Sequence, residues 1–553
     1  MHTELRRPSK AFGWGNPETH FYSFQDEPVK TWISEKFGLE PGQKTVKERS
    51  LARVSIADSA ISPEMTERFQ NLIGSDYVLT DKESRAFFSS GRSYRDLIRM
   101  RSMTIQDAPD IVLRPKTSSE LESIMALANK HKIALIPFAG GSSVVGGLDP
   151  ITGKQRLTAA VDITRINQIE AFQEESQLIT VGAGIFGPEL ESWLNKKGYT
   201  LGHFPQSFEF STVGGWISAR SSGQNSIKYG SFDKIVTGLT LVSPQGSLKT
   251  ISVPNMACGP DLRQLIIGSE GTFGFVTSCT LKVRPSPDVK KYTMYLFQNF
   301  SDARLAARLI TQSESRPAMI RVSDEEESET LMALRDRNPK SSGTIVKQVA
   351  KWWIEKKGFD LKKTSLLLLG FEGSTLDTKH QERLAMNAIE SLTFQSLGSG
   401  SGQQWLKDRF FLPYARDTFM DAGLLVDTFE TVTHWHLVDD LYQHIKKQVS
   451  GVCEARNIPY SIFCHLSHLY STGTSLYFTI ICQETDDALE QWTEIKTAAS
   501  KAVIEAGGPI SHHHGVGTDH KPWLTHSQLE KNLLGQIKST FDPEGIMNPG
   551  KLL

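Results

Sequence analysis

The sequence predicts an α+β protein of more than one domain, and three observations carry that expectation. The chain has 553 residues, more than a single hydrophobic core usually supports. Its first half alternates short strand and helix patterns around glycine-rich loops, as an α/β unit does. Further on, the apolar runs lengthen into TSLLLLGFEG and TSLYFTIICQE, which read as strands of an antiparallel sheet carrying helices.

The bulk composition removes several function classes. Lys plus Arg (61) almost balances Asp plus Glu (62), so no polyanion such as nucleic acid is expected as a partner. Five cysteines, Cys258, Cys279, Cys453, Cys464 and Cys482, lie scattered without a C-x-x-C pair, which argues against a disulfide framework and a structural zinc site. No window reaches the ~18 consecutive apolar residues of a membrane span, and the first residues, MHTELRRPSK, form no signal-peptide pattern. The one linker-like stretch is ESLTFQSLGSGSGQQW, near residues 390 to 405.

The first hundred residues mix short helical patterns with breaks at Pro28, Gly38, Pro41 and Gly42, and an appended helical arm is expected there. From Asp107 the texture changes. Asp110 to Arg114 reads as a strand, Thr117 with Glu120 makes a capping-box pattern, and Leu121, Ile124, Met125 and Ala128 follow at helical spacing. Ile133 to Ile136 is a buried strand that runs into the loop PFAGGSSVVGGL. That loop is neither the G-x-G-x-x-G fingerprint nor a Walker loop. Further strands are expected at Val161 to Ile163, Leu178 to Val181 and Ile235 to Val242, with a helix opening at Gly187 and Pro188.

Two more segments are too rich in small residues for an ordinary packed element. Pro205 to Gly230, PQSFEFSTVGGWISARSSGQNSIKYG, collects glycines and hydroxyls, and Gly268, Gly271 and Gly274 punctuate IIGSEGTFGFV. Glycines let a guest approach the backbone, while hydroxyls and free N–H groups bind phosphate oxygens. Three such segments within about 140 residues point to a large polar ligand that carries phosphates.

The loop Pro137-Phe138-Ala139-Gly140-Gly141-Ser142-Ser143 resembles the Pro-x-Gly-Gly-Gly-Thr/Ser-Ser cradle of vanillyl-alcohol-oxidase type flavoproteins, with Ala139 in place of the first glycine. An alanine where φ is positive would be strained. PQSFEFSTVGGW, SARSSG, KYG, GSEGTFG, LKVRPSP, YARD and SHHHGVG, with the early FGWGNPE, resemble in order the motifs of the alkyldihydroxyacetonephosphate synthase family, and the likeness covers most of the chain. The resemblance implies a two-lobed FAD-binding domain over 106–288 behind an N-terminal helical region over 1–105. An antiparallel-sheet cap over 289–505 and a C-terminal segment over 506–553 that returns to the flavin would complete it. FAD would be noncovalent, since no histidine lies in the cradle loops apart from His203 just before one of them.

The implied cofactor contacts are Pro137 to Ser143, Gln206, Ser207, Phe208, Glu209, Phe210, Ser211, Thr212, Ala219, Arg220, Ser221 and Ser222, and then Glu270, Gly271, Thr272, Phe273, Gly274, Phe275 and Val276. For the chemistry, three adjacent histidines, His512, His513 and His514, cannot all point one way. Imidazole suits proton transfer near neutral pH. No Cys or carboxylate cluster lies nearby in sequence to complete a metal shell. The family's metal-dependent 2-hydroxyacid cousins carry Glu and His where this chain has His513 and Ser475, so no metal is expected. The resemblance makes Tyr470 the proton donor and acceptor, Arg416 the carboxylate binder, and Arg321 a second arginine needed for activity.

What the resemblance implies is a non-redox exchange. Flavin N5 would attack C1 of acyl-dihydroxyacetone phosphate, the fatty acid would leave, and a fatty alcohol would trap the flavin adduct. The alternatives are an FAD-dependent 2-hydroxyacid dehydrogenase or small-alcohol oxidase, and a flavin-stabilised binding protein without turnover. Lipid substrates, peripheral membrane contact and a homodimer are the expected partners. A cytoplasmic or membrane-peripheral setting is expected, as in a bacterial homologue, with a peroxisomal one if the source is eukaryotic. The closing FDPEGIMNPGKLL resembles the superfamily's Asn-Pro-Gly-Lys, so Lys-Leu-Leu reads as part of the fold.

Overall fold

The computed structural model describes residues 9–24, 26–40, 48–334 and 356–553. Thr117 accepts a hydrogen bond from the Glu120 N–H and starts the helix Ser118–His131, which buries Leu121, Ile124, Met125 and Ala128. The local capping signal and the 3.6-residue apolar spacing together fix this element. The strand Ile133–Phe138 then enters a four-stranded sheet in the order Val78–Leu79, Ile111–Leu113, Leu157–Asp162, Ile133–Phe138. Its last three strands are parallel, and their near-continuous apolar burial fits a sheet covered on both faces.

A second sheet of five antiparallel strands follows, in the order Gly246–Lys249, Val236–Ser243, Phe275–Lys282, Leu178–Gly182, Ile169–Gln173. One apolar core joins the two sheets, with Leu135, Val161, Val181, Trp216, Leu241 and Phe275 among its members. The chain returns to this lobe near its end. Met547 bridges Leu135 in parallel, and the Lys551 ammonium, buried by the fold, donates to the Asp149 carbonyl at 2.7 Å.

The other half is a seven-stranded antiparallel sheet among the described residues. Its order is Phe394–Ser396, Val289–Phe297, Ser365–Gly373, Met319–Ser323, Tyr460–Tyr470, Gly473–Gln483, Leu424–His434. The helices Phe300–Gln312, Val438–Ala455 and Ala488–Glu505 contribute to its core. The stretch expected to be a linker is structured instead: it forms the strand Phe394–Ser396 and the helix Ser399–Asp408. Gly402 serves close packing, since a Cβ there would stand 2.3 Å from the Tyr292 carbonyl oxygen.

The first hundred residues do form helices, at Glu27–Phe37, Pro63–Ile73, Lys82–Phe87 and Tyr94–Arg101. They are less of an appendage than expected. Trp14, Tyr22, Trp32 and Phe37 share a core with Tyr414, Phe419 and Phe463 of the antiparallel half.

Candidate active site

A cavity of about 460 Å³ lies between the two halves. Pro137 to Ser143 form one wall, at the carboxyl end of the parallel strand Ile133–Phe138. Gly140 is required there: a Cβ would stand 2.0 Å from the Phe210 carbonyl oxygen, so two small-residue loops meet backbone to backbone. Gly141 takes the left-handed conformation at φ 73°, whereas Ala139 is not among the positive-φ residues. The strain expected at Ala139 is therefore absent.

Gln206, Ser207, Ser211, Thr212, Ala219, Ser221 and Ser222 line the next wall, and Glu270, Gly271, Gly274, Phe275 and Val276 line the third. The remaining expected contacts turn elsewhere. Phe208 stacks on Phe410 at 5.1 Å, and Glu209 accepts from the Tyr414 hydroxyl at 3.2 Å. The Phe210 ring meets Trp14 edge-on, and the Arg220 guanidinium donates to Gln264 and to the Ile267 carbonyl. Thr272 donates to the Ser269 carbonyl, and Phe273 stacks on Phe541. Glu270 is in the wall, but its carboxylate accepts the Val516 and Gly517 N–H groups, the latter at 2.8 Å. Burial pushes its pKa up. It ties the cofactor wall to the histidine loop and leaves no free carboxylate beside a phosphate. Asn548 also lines the cavity and holds a buried Oδ1 without a partner. Hydroxyls, loop N–H groups and an open amide oxygen suit a dinucleotide such as FAD.

Opposite these walls stands the chemistry. His513 and His514 line the cavity, with His468 and Tyr477 beside them. His512 and Tyr470 do not line it: the Tyr470 hydroxyl lies 2.7 Å from His512 Nε2, with Ser222 of the cavity wall as a further partner. The Tyr470 side chain is 39 % exposed, at the turn between the strands Tyr460–Tyr470 and Gly473–Gln483. His512 Nδ1 lies 3.0 Å from His513 Nδ1, so hydroxyl and two rings form a chain leading to the cavity. Burial pushes His512, His513 and His514 each down to about 4 and Tyr470 up to about 12. Near neutral pH the rings are uncharged bases and the phenol keeps its proton.

Two residues of this region escaped the reading of the sequence. His468 occupies a bulge in its strand at φ 50°, an unusual conformation for a side chain of this size, and its Nδ1 meets Ser226 Oγ at 3.0 Å. Glu430, buried on the strand Leu424–His434, brings the carboxylate that the local sequence lacked. Among the described residues, Glu430, His512 and His513 offer ligand atoms within 4.8 Å of one another. Glu430 Oε1, however, accepts from Ser511 Oγ at 2.7 Å, His513 N at 3.0 Å and His514 N at 2.9 Å, while Oε2 accepts from His512 N at 2.7 Å. The available signal was a pair of acids, Asp427 and Glu430, within the strand run LLVDTFETV.

The arginines divide differently. Arg321 lines the cavity but pairs with Glu327 at 2.8 Å and with His465 Nδ1 at 3.0 Å. Burial favours the neutral Glu327 carboxyl, yet Arg321 and His465 hold it down at about 2. Arg416 also lines the cavity and forms no ion pair among the described residues, and its Nε is buried without a partner. The expected counter-ion next to it, Asp417, is drawn the other way by Lys10 at 3.2 Å, the Trp14 N–H at 3.1 Å and Arg101 at 3.7 Å. The cavity also has an apolar lining of Leu331, Leu334, Leu412, Phe419, Phe463 and Ile481, with Trp14 and Tyr22 from the N-terminal region, and most of these share one core cluster with Ala415 next to Arg416.

This architecture is that of an FAD-binding flavoprotein of the vanillyl-alcohol-oxidase type. The family model described as FAD binding domain matches residues 109–252, and that described as FAD linked oxidases, C-terminal domain, matches residues 286–552. Alkyldihydroxyacetonephosphate synthase from Dictyostelium discoideum is 34% identical over 89% of this chain and 81% of its own length. That from Caenorhabditis elegans is 34% identical over 98% of this chain and 94% of its own. A solved structure of an alkyldihydroxyacetonephosphate synthase superposes with a TM-score of 0.86 at 29% identity, covering 98% of this chain and 99% of the other. The chain belongs to the alkyldihydroxyacetonephosphate synthase family and is an FAD-linked enzyme. No helix among the described residues is long and apolar enough to cross a membrane.

Proposed function

We propose that this enzyme exchanges the acyl chain of acyl-dihydroxyacetone phosphate for a fatty alcohol and thereby forms an ether bond. The observation that carries the reading is Arg416: a guanidinium with no ion pair among the described residues, lining a cavity whose walls are polar in part and apolar in part. Such a fork is suited to the carboxylate of a departing fatty acid, whose hydrocarbon chain would lie against the apolar lining. Arg321, held by Glu327 and His465, would shape the wall and add positive field. Pro137 to Ser143 with Gln206, Ser207, Ser211 and Thr212 would hold the FAD pyrophosphate. FAD, when bound, supplies the covalent chemistry of the exchange with no net change in its redox state.

In this reading Tyr470 and His512 take the proton of the incoming alcohol and return one where the substrate carbon needs it, and His513 passes charge between them and the chamber. Peripheral contact with a lipid surface and a homodimer belong to the same reading. Vesicle co-sedimentation and sizing of the FAD-loaded protein would test those two parts. The central test is whether the purified yellow protein incorporates labelled fatty alcohol into acyl-dihydroxyacetone phosphate and releases free fatty acid. Absence of labelled product from the wild-type protein, with rapid flavin bleaching by D-lactate, would replace this function with that of a 2-hydroxyacid dehydrogenase.

A further inference from the structure

We infer that Glu430 is the positioning residue of the histidine loop: it aims the three rings and steadies a proton on them without touching substrate. The inference rests on the exchange reaction proposed above and deepens it. Three consecutive backbone N–H groups, those of His512, His513 and His514, converge on one carboxylate at 2.7 to 3.0 Å, and Ser511 Oγ adds a fourth donor at 2.7 Å. Adjacent side chains on a regular element point in fixed and different directions. Here the backbone is wrapped around an anion instead, so the directions are set by Glu430.

The wrapped loop fans the rings. His512 turns to the Tyr470 hydroxyl, His513 lies edge-on to His468 at 4.8 Å, and His514 stands perpendicular to Tyr477 at 5.3 Å. The same carboxylate lies 3.6 Å from His513 Nδ1 and 4.0 Å from His514 Nδ1. A proton moving from the Tyr470 oxygen to His512 Nε2, as the His512 Nδ1 proton passes to His513 Nδ1, leaves a phenolate and a protonated His513. Glu430 stabilises that second charge. Burial alone would favour the neutral carboxyl, but the histidines and their N–H donors hold it well below the usual carboxylate range. It stays anionic throughout.

The anchor is also placed to be rigid. Glu430 sits mid-strand on Leu424–His434, which pairs with the strand Gly473–Gln483 along its whole length, and the residue is 1 % exposed. Three of the four donors fall on Oε1 and one on Oε2, so the carboxylate is engaged chiefly by the loop. The metal content of the purified protein separates this role from ligation by the same three residues.

The experiment compares FAD-loaded wild-type protein with Glu430→Gln and Ser511→Ala. Replacing one carboxylate oxygen by an NH2 group sets donor against donor in the loop. Glu430→Gln is expected to lower kcat about 10²-fold with KM for acyl-dihydroxyacetone phosphate changed less than about threefold. It should raise amide hydrogen exchange of residues 511–517 at least about tenfold and move the acid limb of the kcat profile to lower pH, since the negative charge that favours the imidazolium is gone. Ser511→Ala removes one donor and keeps the charge, so the acid limb should stay in place. Undiminished kcat with unaltered exchange in Glu430→Gln would overturn the inference. So would a stoichiometric divalent metal in the purified wild-type protein, a result that does not depend on any variant folding. A wild-type protein without alkyl exchange would remove the proposed reaction, while the loop protection and metal content would still report on Glu430.

Discussion

Arg416→Met sets stability against function at one atom cluster. The guanidinium is withdrawn from bulk water, lowered from its ordinary pKa by burial, and separated from Asp417 by that residue's contacts to Lys10, Trp14 and Arg101. Desolvation of that charge outweighs the attraction of Asp417 and Asp427. Methionine, of similar length, should stabilise the substrate-free protein by about 1–3 kcal/mol, a rise in Tm of a few degrees. The same change removes a bidentate, charge-assisted contact to a carboxylate, worth about 2–5 kcal/mol when buried, or about 30- to 5000-fold in kcat/KM. The assay is thermal melting of FAD-loaded protein with and without a long-chain fatty acid, beside the labelled-alcohol exchange. At about 100 times its Kd the acid should stabilise the wild type by about 2.7 kcal/mol and leave Arg416→Met unmoved. Arg416→Lys, with its charge but not its fork, should fall between them. If Arg416→Met melts like the wild type and still gains stability from the fatty acid, Arg416 is not the anion site.

Three other outcomes follow from the same geometry. Tyr470→Phe should lose about 10²- to 10⁴-fold in exchange while its flavin absorbance stays at wild-type strength; retention of activity would move the proton transfer onto the histidines alone. Because burial depresses His512, His513 and His514 to about 4, their neutral forms persist below the usual imidazole range. The kcat profile should thus be flat from pH 7 to about 5.5 and fall toward 4, and an acid limb centred near 6.5 would contradict the burial argument. Gly140→Ala drives a methyl into the Phe210 carbonyl, so FAD content by absorbance ratio should drop sharply, and full occupancy would show that the two loops can separate.

The cofactor lobe was legible because its signals are local. Thr117 with Glu120, the strand before Gly140 and the small residues of Pro205 to Gly230 each announce their geometry within a few positions. The region of chemistry was only half legible. The histidine triplet is conspicuous in one dimension, but Glu430 lies 82 residues before His512 and looks like an ordinary strand position until the sheet folds. The unpaired state of Arg416 was hidden for a related reason: its neighbour Asp417 is claimed by Lys10 and Trp14, roughly 400 residues away. Glycine and serine at 398–402 misled in the opposite direction, since composition does not distinguish a loop from a helix pressed on a strand.

The bridge from Met547 to Leu135 has a consequence for how the protein is made. The edge strand Ile133–Phe138 leaves the ribosome some 400 residues before the segment that docks on it. Contacts of such high sequence separation slow folding and prolong the exposure of apolar sheet surface. During vectorial synthesis the cofactor lobe must therefore wait, partly assembled, while the antiparallel half emerges and folds. The contacts of Met547 with Leu135 and of Lys551 with the Asp149 carbonyl can join the lobe only after the antiparallel half has been made.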